Sequence, residues 1–136
     1  MTPRIHICEP IRLLHSGDAP AAIGPYSQSV AVGGWLHTSG QIGLDPATGD
    51  LVPGGFEAQA RRVFANLEAV LASAGCGFAD VVKTLVFLAD MADFPVLNGI
   101  YADAFGEHRP ARSTVAAAGL PKGARIEIEL IARIPR

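Results

Sequence analysis

Two stretches of the chain place apolar residues at intervals of three and four, the spacing of a helix with one buried face. The first runs from Phe56 to Ala74 and is followed by Gly75, a residue that suits the end of a helix. The second begins near Phe94, with Asp93 as the predicted N-cap and Pro95 in the first turn. We therefore predict two amphipathic helices. Their apolar stripes are Ala60, Val63, Phe64, Leu67, Val70, Leu71 and Ala74 in the first, and Phe94, Leu97, Tyr101, Ala104 and Phe105 in the second.

Five further stretches have the composition or the alternation of β-strands. YSQSVAV and WLHTSG flank Gly33 and Gly34, a glycine pair that allows two strands to form a hairpin. VVKTLVFLA reads as a buried strand, and RSTVAAA follows the second helix, which predicts a parallel pair joined by a right-handed crossover. The last strand is the most regular, because Ile126, Ile128, Leu130, Ala132 and Ile134 alternate with Glu127, Glu129, Ile131 and Arg133.

These elements fit a single α+β domain over residues 1–136, with two helices on one face of a sheet of five or six strands. Residues 1–18 are predicted to be an N-terminal extension that holds a possible edge strand. The opposite face stays exposed unless another chain covers it. Charged residues make up 18% of the chain, below the roughly 25% of typical soluble domains. We therefore expect an oligomer, and we expect Arg112 and Glu127 to meet on the open face.

Charge and cysteine content narrow the classes of function. A net charge of -2 and a pI near 6.0 give no general attraction to phosphate backbones, so nucleic-acid binding is not expected. The N-terminus lacks the apolar core of a secretory signal, which predicts a cytoplasmic protein. Cys8 and Cys76 form no CxxC pair, so we expect free thiols. The four histidines lack the spacing of a zinc site, and no metal is predicted.

Arg112 is the most informative polar residue, because it opens the apolar run of a predicted strand together with Ser113 and Thr114. A guanidinium in this position either binds an anion or forms a structural salt bridge with an acidic neighbour. Glu127 and Glu129 have an ordinary alternative as charges on a solvated strand face. The sequence has no GxSxG, phosphate-loop or dinucleotide signature. The residues alone therefore indicate a small oligomeric domain with a candidate anion site.

Several stretches, in one order along the chain, together resemble the RidA family, also called YjgF. They are APAAIGPYSQSV, HTSGQIGLDPATGDL, EAQARRVFANLEAVLASAG, DVVKTLVFLADMADFPVLNGIYADAF and PARSTVAAAGLPKGARIEIELIA, and together they cover about residues 19–134. The resemblance implies a chorismate-mutase-like α+β fold with a mixed six-stranded sheet, and a homotrimer whose sites lie between subunits. It also implies a 2-iminobutanoate/2-iminopropanoate deaminase activity that needs no cofactor. Such enzymes hydrolyse enamines and imines of the 2-aminoacrylate type to 2-oxo acids and ammonia.

By motif position, the resemblance implies that Arg112 pairs with the substrate carboxylate and that Glu127 lies near the attacking water. It implies a further set of cleft residues, of which Tyr26 and Ser39 come from the neighbouring subunit: Tyr26, Ser39, Gly40, Asn98 and Thr114. Tyr26, Ser39 and Asn98 also have ordinary alternatives, as a turn aromatic, a strand-end hydroxyl and a helix-surface amide.

The sequence departs from the family pattern in three places. Thr114 stands where many members have cysteine, which argues against a thiol-dependent step. The stretch EHRPARS is shorter, and the N-terminus longer, than in the best-known deaminases. Two other functions therefore stay open: a non-catalytic module that binds small carboxylates, and an endoribonuclease or translation inhibitor. The sequence offers no histidine pair or basic, aromatic-rich surface for RNA cleavage.

Overall fold

A computed structural model of the protein describes residue 2 and residues 9–136, which form a six-stranded mixed sheet with two α-helices. The strands are β1 (Arg12–Leu14), β2 (Ser29–Val32), β3 (Trp35–Thr38), β4 (Val81–Leu88), β5 (Ala111–Ala116) and β6 (Ile126–Arg133), and the helices are α1 (Gly55–Ala72) and α2 (Phe94–Phe105). The order in the sheet is β1-β2-β3-β6-β4-β5, and β4 and β5 are its parallel pair. The predicted α+β class and the parallel crossover are confirmed.

The predicted N-terminal extension is described only from residue 9 onward, apart from residue 2. Within it, β1 pairs antiparallel with β2 at one edge of the sheet. Residues 1 and 3–8 of the extension, including Cys8, lie outside the described residues. None of the helices in the described part of the chain is long and apolar enough to cross a membrane.

The core lies between the two helices and one face of the sheet. Strand β6 alternates between buried and half-buried positions, so that Ile126, Ile128 and Leu130 point toward the helices. The helices contribute Val63 and Leu67 from α1 and Leu97 from α2, all with no exposed surface. Each such side chain stabilises the fold by about 1.5–3 kcal/mol relative to an exposed one. The apolar face of the strand, which repeats every two residues, therefore packs against the apolar faces of the helices, which repeat every 3.6 residues, in a single apolar layer.

Local geometry agrees with the predicted hairpin and N-cap and shortens one helix. Gly33 and Gly34 join β2 to β3 with φ values of 56° and 82°, a left-handed pair that closes a tight hairpin. Helix α1 ends at Ala72 rather than Ala74, and Pro95 lies in the first turn of α2. Asp93 is the N-cap residue of α2, as predicted, but its side chain forms no capping hydrogen bond. Its carboxylate accepts two hydrogen bonds of 2.9 Å from Arg125.

The face of the sheet opposite the helices is open in the single chain. Its register places several large apolar side chains there with much of their surface exposed: Leu13 (69%), Val32 (36%), Trp35 (42%) and Val115 (48%). An exposed apolar surface of this kind in a soluble domain usually marks an interaction site.

Candidate functional site

Strand register separates Arg112 from Glu127. Arg112 on β5 pairs with Thr84 on β4, a buried residue on the helix side of the sheet. Glu127 on β6 pairs with Phe87, which lies three positions further along β4. Because successive side chains of a strand point to opposite faces, positions an odd number apart face opposite ways. The prediction that Arg112 and Glu127 meet on the open face of one chain is therefore wrong: Arg112 lies toward the helices and Glu127 on the open face.

The Arg112 guanidinium lies at the sheet edge against helix α2. Its Nη1 donates a 2.9 Å hydrogen bond to Oδ1 of Asn98, and its Cζ lies 4.7 Å from the ring centre of Tyr101 and 5.3 Å from that of Phe94. Among the residues that the structure describes, no carboxylate lies within 4.0 Å of this guanidinium. The structural salt bridge considered as an alternative is thus absent, and the positive charge is held by an amide and two aromatic rings.

Two hydroxyl groups lie on the same side of the sheet as this guanidinium. Tyr101 is 7% exposed, and its hydroxyl forms a 2.8 Å hydrogen bond with Oγ1 of the fully buried Thr84. Desolvation raises the pKa of Tyr101, although the Thr84 hydrogen bond and the Arg112 charge lower it, so the phenol stays neutral at physiological pH. Thr114 lies two residues after Arg112 on the same face, and its Oγ1 is buried without a hydrogen-bond partner in the described structure.

Glu127 belongs to a separate cleft of about 320 Å³ on the other side of the molecule. Tyr26, Gly40 and Lys122 line this cleft with it, and Tyr26 is 52% exposed at the rim. A Cβ atom at Gly40 would lie 2.7 Å from Cδ and 2.9 Å from Cγ of Glu127, so only glycine lets the carboxylate sit here. Burial raises the pKa of Glu127, and the charge of Glu129 raises it further. The cleft therefore holds a carboxyl group with a stronger affinity for protons than an exposed glutamate.

Ser39 lies beside this cleft but outside its lining. Its hydroxyl donates a 2.6 Å hydrogen bond to the carbonyl of Ser27, and its backbone N–H donates to the carbonyl of Gln28 at 3.0 Å. These bonds fix the end of the β2–β3 hairpin next to Gly40. Of the predicted site residues, the structure thus brings Tyr26, Gly40 and Glu127 together on one side, with Ser39 adjacent, and Arg112, Asn98 and Thr114 on the other.

The walls of the Glu127 cleft are held by two buried amides that the sequence analysis missed. Gln28 is 3% exposed and donates from Nε2 to the carbonyls of Ser16 (3.1 Å) and Pro20 (2.8 Å), while its Oε1 accepts from the Ser16 N–H. Asn66 has no exposed surface and donates from Nδ2 to the carbonyls of Ile42 and Leu44. The sequence signal for Asn66 was a polar residue beside the apolar stripe of a predicted helix, next to Leu67.

One loop crosses the mouth of the same cleft. Lys122 adopts φ 56°, the single left-handed conformation of a non-glycine residue in the described chain, and its Nζ donates a 2.8 Å hydrogen bond to the carbonyl of Gly49.

Within residues 2 and 9–136, no group of three or more histidine, cysteine, aspartate or glutamate side chains is arranged to hold a metal ion. Cys76 is buried, and burial raises the pKa of its thiol, so this sulfur is not an activated nucleophile.

Comparisons with known proteins agree closely in sequence and in structure. A family model described as Endoribonuclease L-PSP matches residues 16–134. The 2-iminobutanoate/2-iminopropanoate deaminase of Mus musculus is 50% identical over 121 residues, which cover 89% of this chain and 90% of the mouse protein. The human protein of the same name is 49% identical, with coverage of 89% and 88%.

Solved structures give the same result. RidA from an Antarctic Psychrobacter superposes with a TM-score of 0.87 at 46% identity, covering 90% of this chain and 99% of that one. E. coli TdcF, solved with bound serine, superposes with a TM-score of 0.84 at 39% identity, covering 90% and 98%.

Proposed function

The chain belongs to the YjgF/RidA family, and from that membership we propose that it hydrolyses small 2-imino acids and their enamine tautomers to 2-oxo acids and ammonia. The observation that carries this proposal is the pair of half-sites. One half offers a guanidinium with no carboxylate partner in the described chain, and the other a carboxyl group in a cleft. The relatives named as 2-iminobutanoate/2-iminopropanoate deaminases support the reaction class.

Arg112 binds the substrate carboxylate in the proposed mechanism. Its planar fork matches the two oxygens of a carboxylate, and two charge-assisted hydrogen bonds then fix both the position and the plane of the substrate. The serine bound to TdcF is itself a small molecule with a carboxylate, which fits an anion-binding site in this family.

Glu127 acts on water in the proposed mechanism. The carboxylate accepts a proton from a water molecule as the oxygen adds to the imine carbon, and it passes this proton to the imine nitrogen, which gives a tetrahedral aminoalcohol. The carboxylate then takes the proton of the new hydroxyl group and transfers it to the nitrogen as the C=O bond forms and the C–N bond breaks. Ammonia leaves, and the 2-oxo acid is the second product. Because the pKa of Glu127 is raised, the group is suited both to accept and to return a proton.

The two half-sites come from different subunits in this proposal. Arg112 and Glu127 face opposite sides of one sheet, so a single chain does not bring them to one substrate. The exposed apolar residues of the open face supply a surface for association, and we propose a homotrimer with one cleft at each of its three interfaces. Water addition to an imine already occurs in solution, so positioning and electrostatics are sufficient and the proposed chemistry needs no cofactor. We further propose a cytoplasmic setting, where imines arise from amino-acid chemistry.

Activity is tested with imines that an amino-acid oxidase generates in the assay from several amino acids. We expect accelerated release of ammonia and 2-oxo acid, and no acceleration would overturn the proposal.

RNA cleavage is the second candidate function because of the family model's description. It predicts degradation of single-stranded RNA by the same preparation, with loss of that activity in Glu127→Gln.

The shared cleft is tested by mixing two variants of strongly reduced activity, Arg112→Ala and Glu127→Gln. If the two chain types mix at random in equal amounts, about one cleft in four combines an intact Arg112 of one chain with an intact Glu127 of the next. We therefore expect the mixture, after co-refolding, to recover about a quarter of the wild-type activity. Native mass spectrometry verifies that mixed trimers formed. Mixed trimers without recovered activity would refute the shared cleft, and so would an active monomer.

A further inference from the structure

We infer that the rings of Tyr101 and Phe94 form an aromatic shelf that positions the Arg112 guanidinium for its anion, and that the Thr84 hydroxyl orients the Tyr101 ring. The inference rests on the proposed role of Arg112 as the carboxylate-binding group. It assigns positioning roles to Tyr101, Phe94 and Thr84, which do not contact the substrate themselves.

The geometry of the shelf is that of a cation over aromatic faces. The Cζ of Arg112 lies 4.7 Å and 5.3 Å from the two ring centres, within the distance of about 6 Å at which such attraction is significant. A ring face carries partial negative charge without hydrogen-bond acceptors, so it attracts the cation and leaves the guanidinium N–H groups free. Asn98 accepts one of them through Oδ1. The shelf thus holds the charge without occupying the fork that a carboxylate ligand needs.

The shelf is rigid because Tyr101 is fixed on every side. Its hydroxyl bonds to the fully buried Thr84 on β4, the strand that also pairs with Arg112 itself. Its ring packs against Phe105 at 4.6 Å and against Phe64 at 5.8 Å between ring centres. Thr84 is therefore a polar residue in an otherwise apolar strand position, and its hydroxyl bonds to the hydroxyl of the Tyr101 ring that lies beneath the arginine.

The ends of the shelf are tied to the rest of the fold. Phe94 is the first residue of α2, and the preceding Asp93 receives both of its 2.9 Å hydrogen bonds from Arg125, the residue before β6. The carboxylate next to Phe94 in the chain is thus engaged by Arg125, while the Arg112 guanidinium lies over the rings.

The test uses the deaminase assay on the full-length chain. Tyr101→Leu and Phe94→Leu each remove one ring, and we expect a rise in KM of about five- to thirty-fold for the more buried Tyr101 and less for Phe94, with kcat within about threefold. Tyr101→Phe and Thr84→Val keep the ring and break only the hydrogen bond, so their rise in KM should be smaller than that of Tyr101→Leu. Phe78→Leu is the matched control, because it truncates an aromatic side chain of the same core whose ring packs on Phe64 and Phe105 rather than on Tyr101 or Arg112.

A double-mutant cycle separates positioning from general damage. In an Arg112→Ala background we expect Tyr101→Leu and Phe94→Leu to raise KM by less than about twofold, because their effect passes through the arginine. An equal rise in KM with and without Arg112, or an equal rise in Phe78→Leu, would overturn the shelf. If thermal unfolding shows that Tyr101→Leu is not folded, the shelf is judged on Phe94→Leu alone, by the same comparison of KM with and without Arg112. Should Arg112→Ala itself leave KM unchanged, the proposed carboxylate site fails; should it raise KM while neither ring variant does, only the shelf fails.

Discussion

Replacing Gly40 with alanine tests the role of Glu127 without changing any ionisable group. The new Cβ would lie 2.7 Å from Cδ of Glu127, whereas ordinary contact begins near 3.4 Å. The carboxyl group therefore has to retreat by about 0.7 Å from its place in the cleft. Gly40 does not have a left-handed φ, so the backbone accepts alanine and the clash with Glu127 is the main consequence.

The expected loss follows from that displacement. A misplacement of about 1 Å in a reacting group costs up to a hundred-fold in rate, so we expect kcat for imine hydrolysis to fall by about ten- to a hundred-fold, or about 1.4–2.7 kcal/mol in activation free energy. Glu127 is a half-buried side chain that rotates away at low cost, and the melting temperature should stay within a few degrees. Gly77→Ala is the control, because a Cβ added at Gly77 would meet no atom within 4 Å and Gly77 has no left-handed φ.

The assay measures kcat by ammonia release for wild type, Gly40→Ala, Glu127→Gln and the double variant. Because Gly40→Ala acts through Glu127, the double variant should be no slower than Glu127→Gln alone. A Gly40→Ala variant with wild-type kcat would refute the reasoning. A further loss in the Glu127→Gln background would refute it equally, since the alanine would then disturb something other than this carboxylate.

Three further predictions concern single side chains. Arg112→Lys keeps the charge but loses the two-point fork, so kcat/KM should fall by about ten- to a hundred-fold with the oligomer intact; wild-type kcat/KM in this variant would contradict carboxylate binding. Thr114→Val removes a buried hydroxyl that has no hydrogen-bond partner in the described structure, so the free energy of unfolding should stay equal or rise by about 1 kcal/mol, and activity should be retained. Loss of activity in both Thr114→Val and Thr114→Cys would mean that the hydroxyl takes part directly. The raised pKa of Glu127 favours its neutral form in the folded protein, so the contribution of Glu127 to stability is fully present below its unfolded pKa and is lost as pH rises through the folded pKa. Denaturant unfolding at fixed protein concentration should therefore show that wild type loses stability relative to Glu127→Gln as pH rises from about 4 to about 7. A gain in stability over this range would contradict the raised pKa.

Helix α1 and strand β6 could be predicted because each has an uninterrupted period. In α1 the apolar stripe repeats with the helical period from Phe56 onward, and in β6 the alternation from Ile126 gives both the strand and its buried face. The contacts at the ends of elements are less determined, since Asp93 is the N-cap residue of α2 by position but its carboxylate pairs with Arg125 rather than with a backbone N–H group. The sequence does not show whether an aspartate here binds a backbone N–H group or an arginine side chain, because a carboxylate accepts hydrogen bonds from both.

The placement of the site could not be predicted to the same extent. Strand β5 begins with Ala111 and Arg112 and continues with small residues whose exposed and half-buried positions show no strong contrast, so nothing in the run fixes which face the arginine occupies. That face is set by the register of β5 on β4, a contact between residues far apart in the chain. Gln28 and Asn66 were missed for a related reason, because the carbonyl groups they bind become neighbours only after folding.

The positive charge of Arg112 is stabilised by aromatic rings instead of a carboxylate, and this makes the site sensitive to the anions in solution. An arriving anion breaks no ion pair between Arg112 and a carboxylate of the described chain, so its entry carries little electrostatic penalty. The carboxylate that Arg112 is proposed to bind is unchanged between a 2-imino acid and its 2-oxo acid product, so the arginine holds both alike and contributes to affinity more than to turnover. Acetate, chloride and accumulated product then compete for one position, and the rate at a given substrate concentration depends on the anion content of the medium.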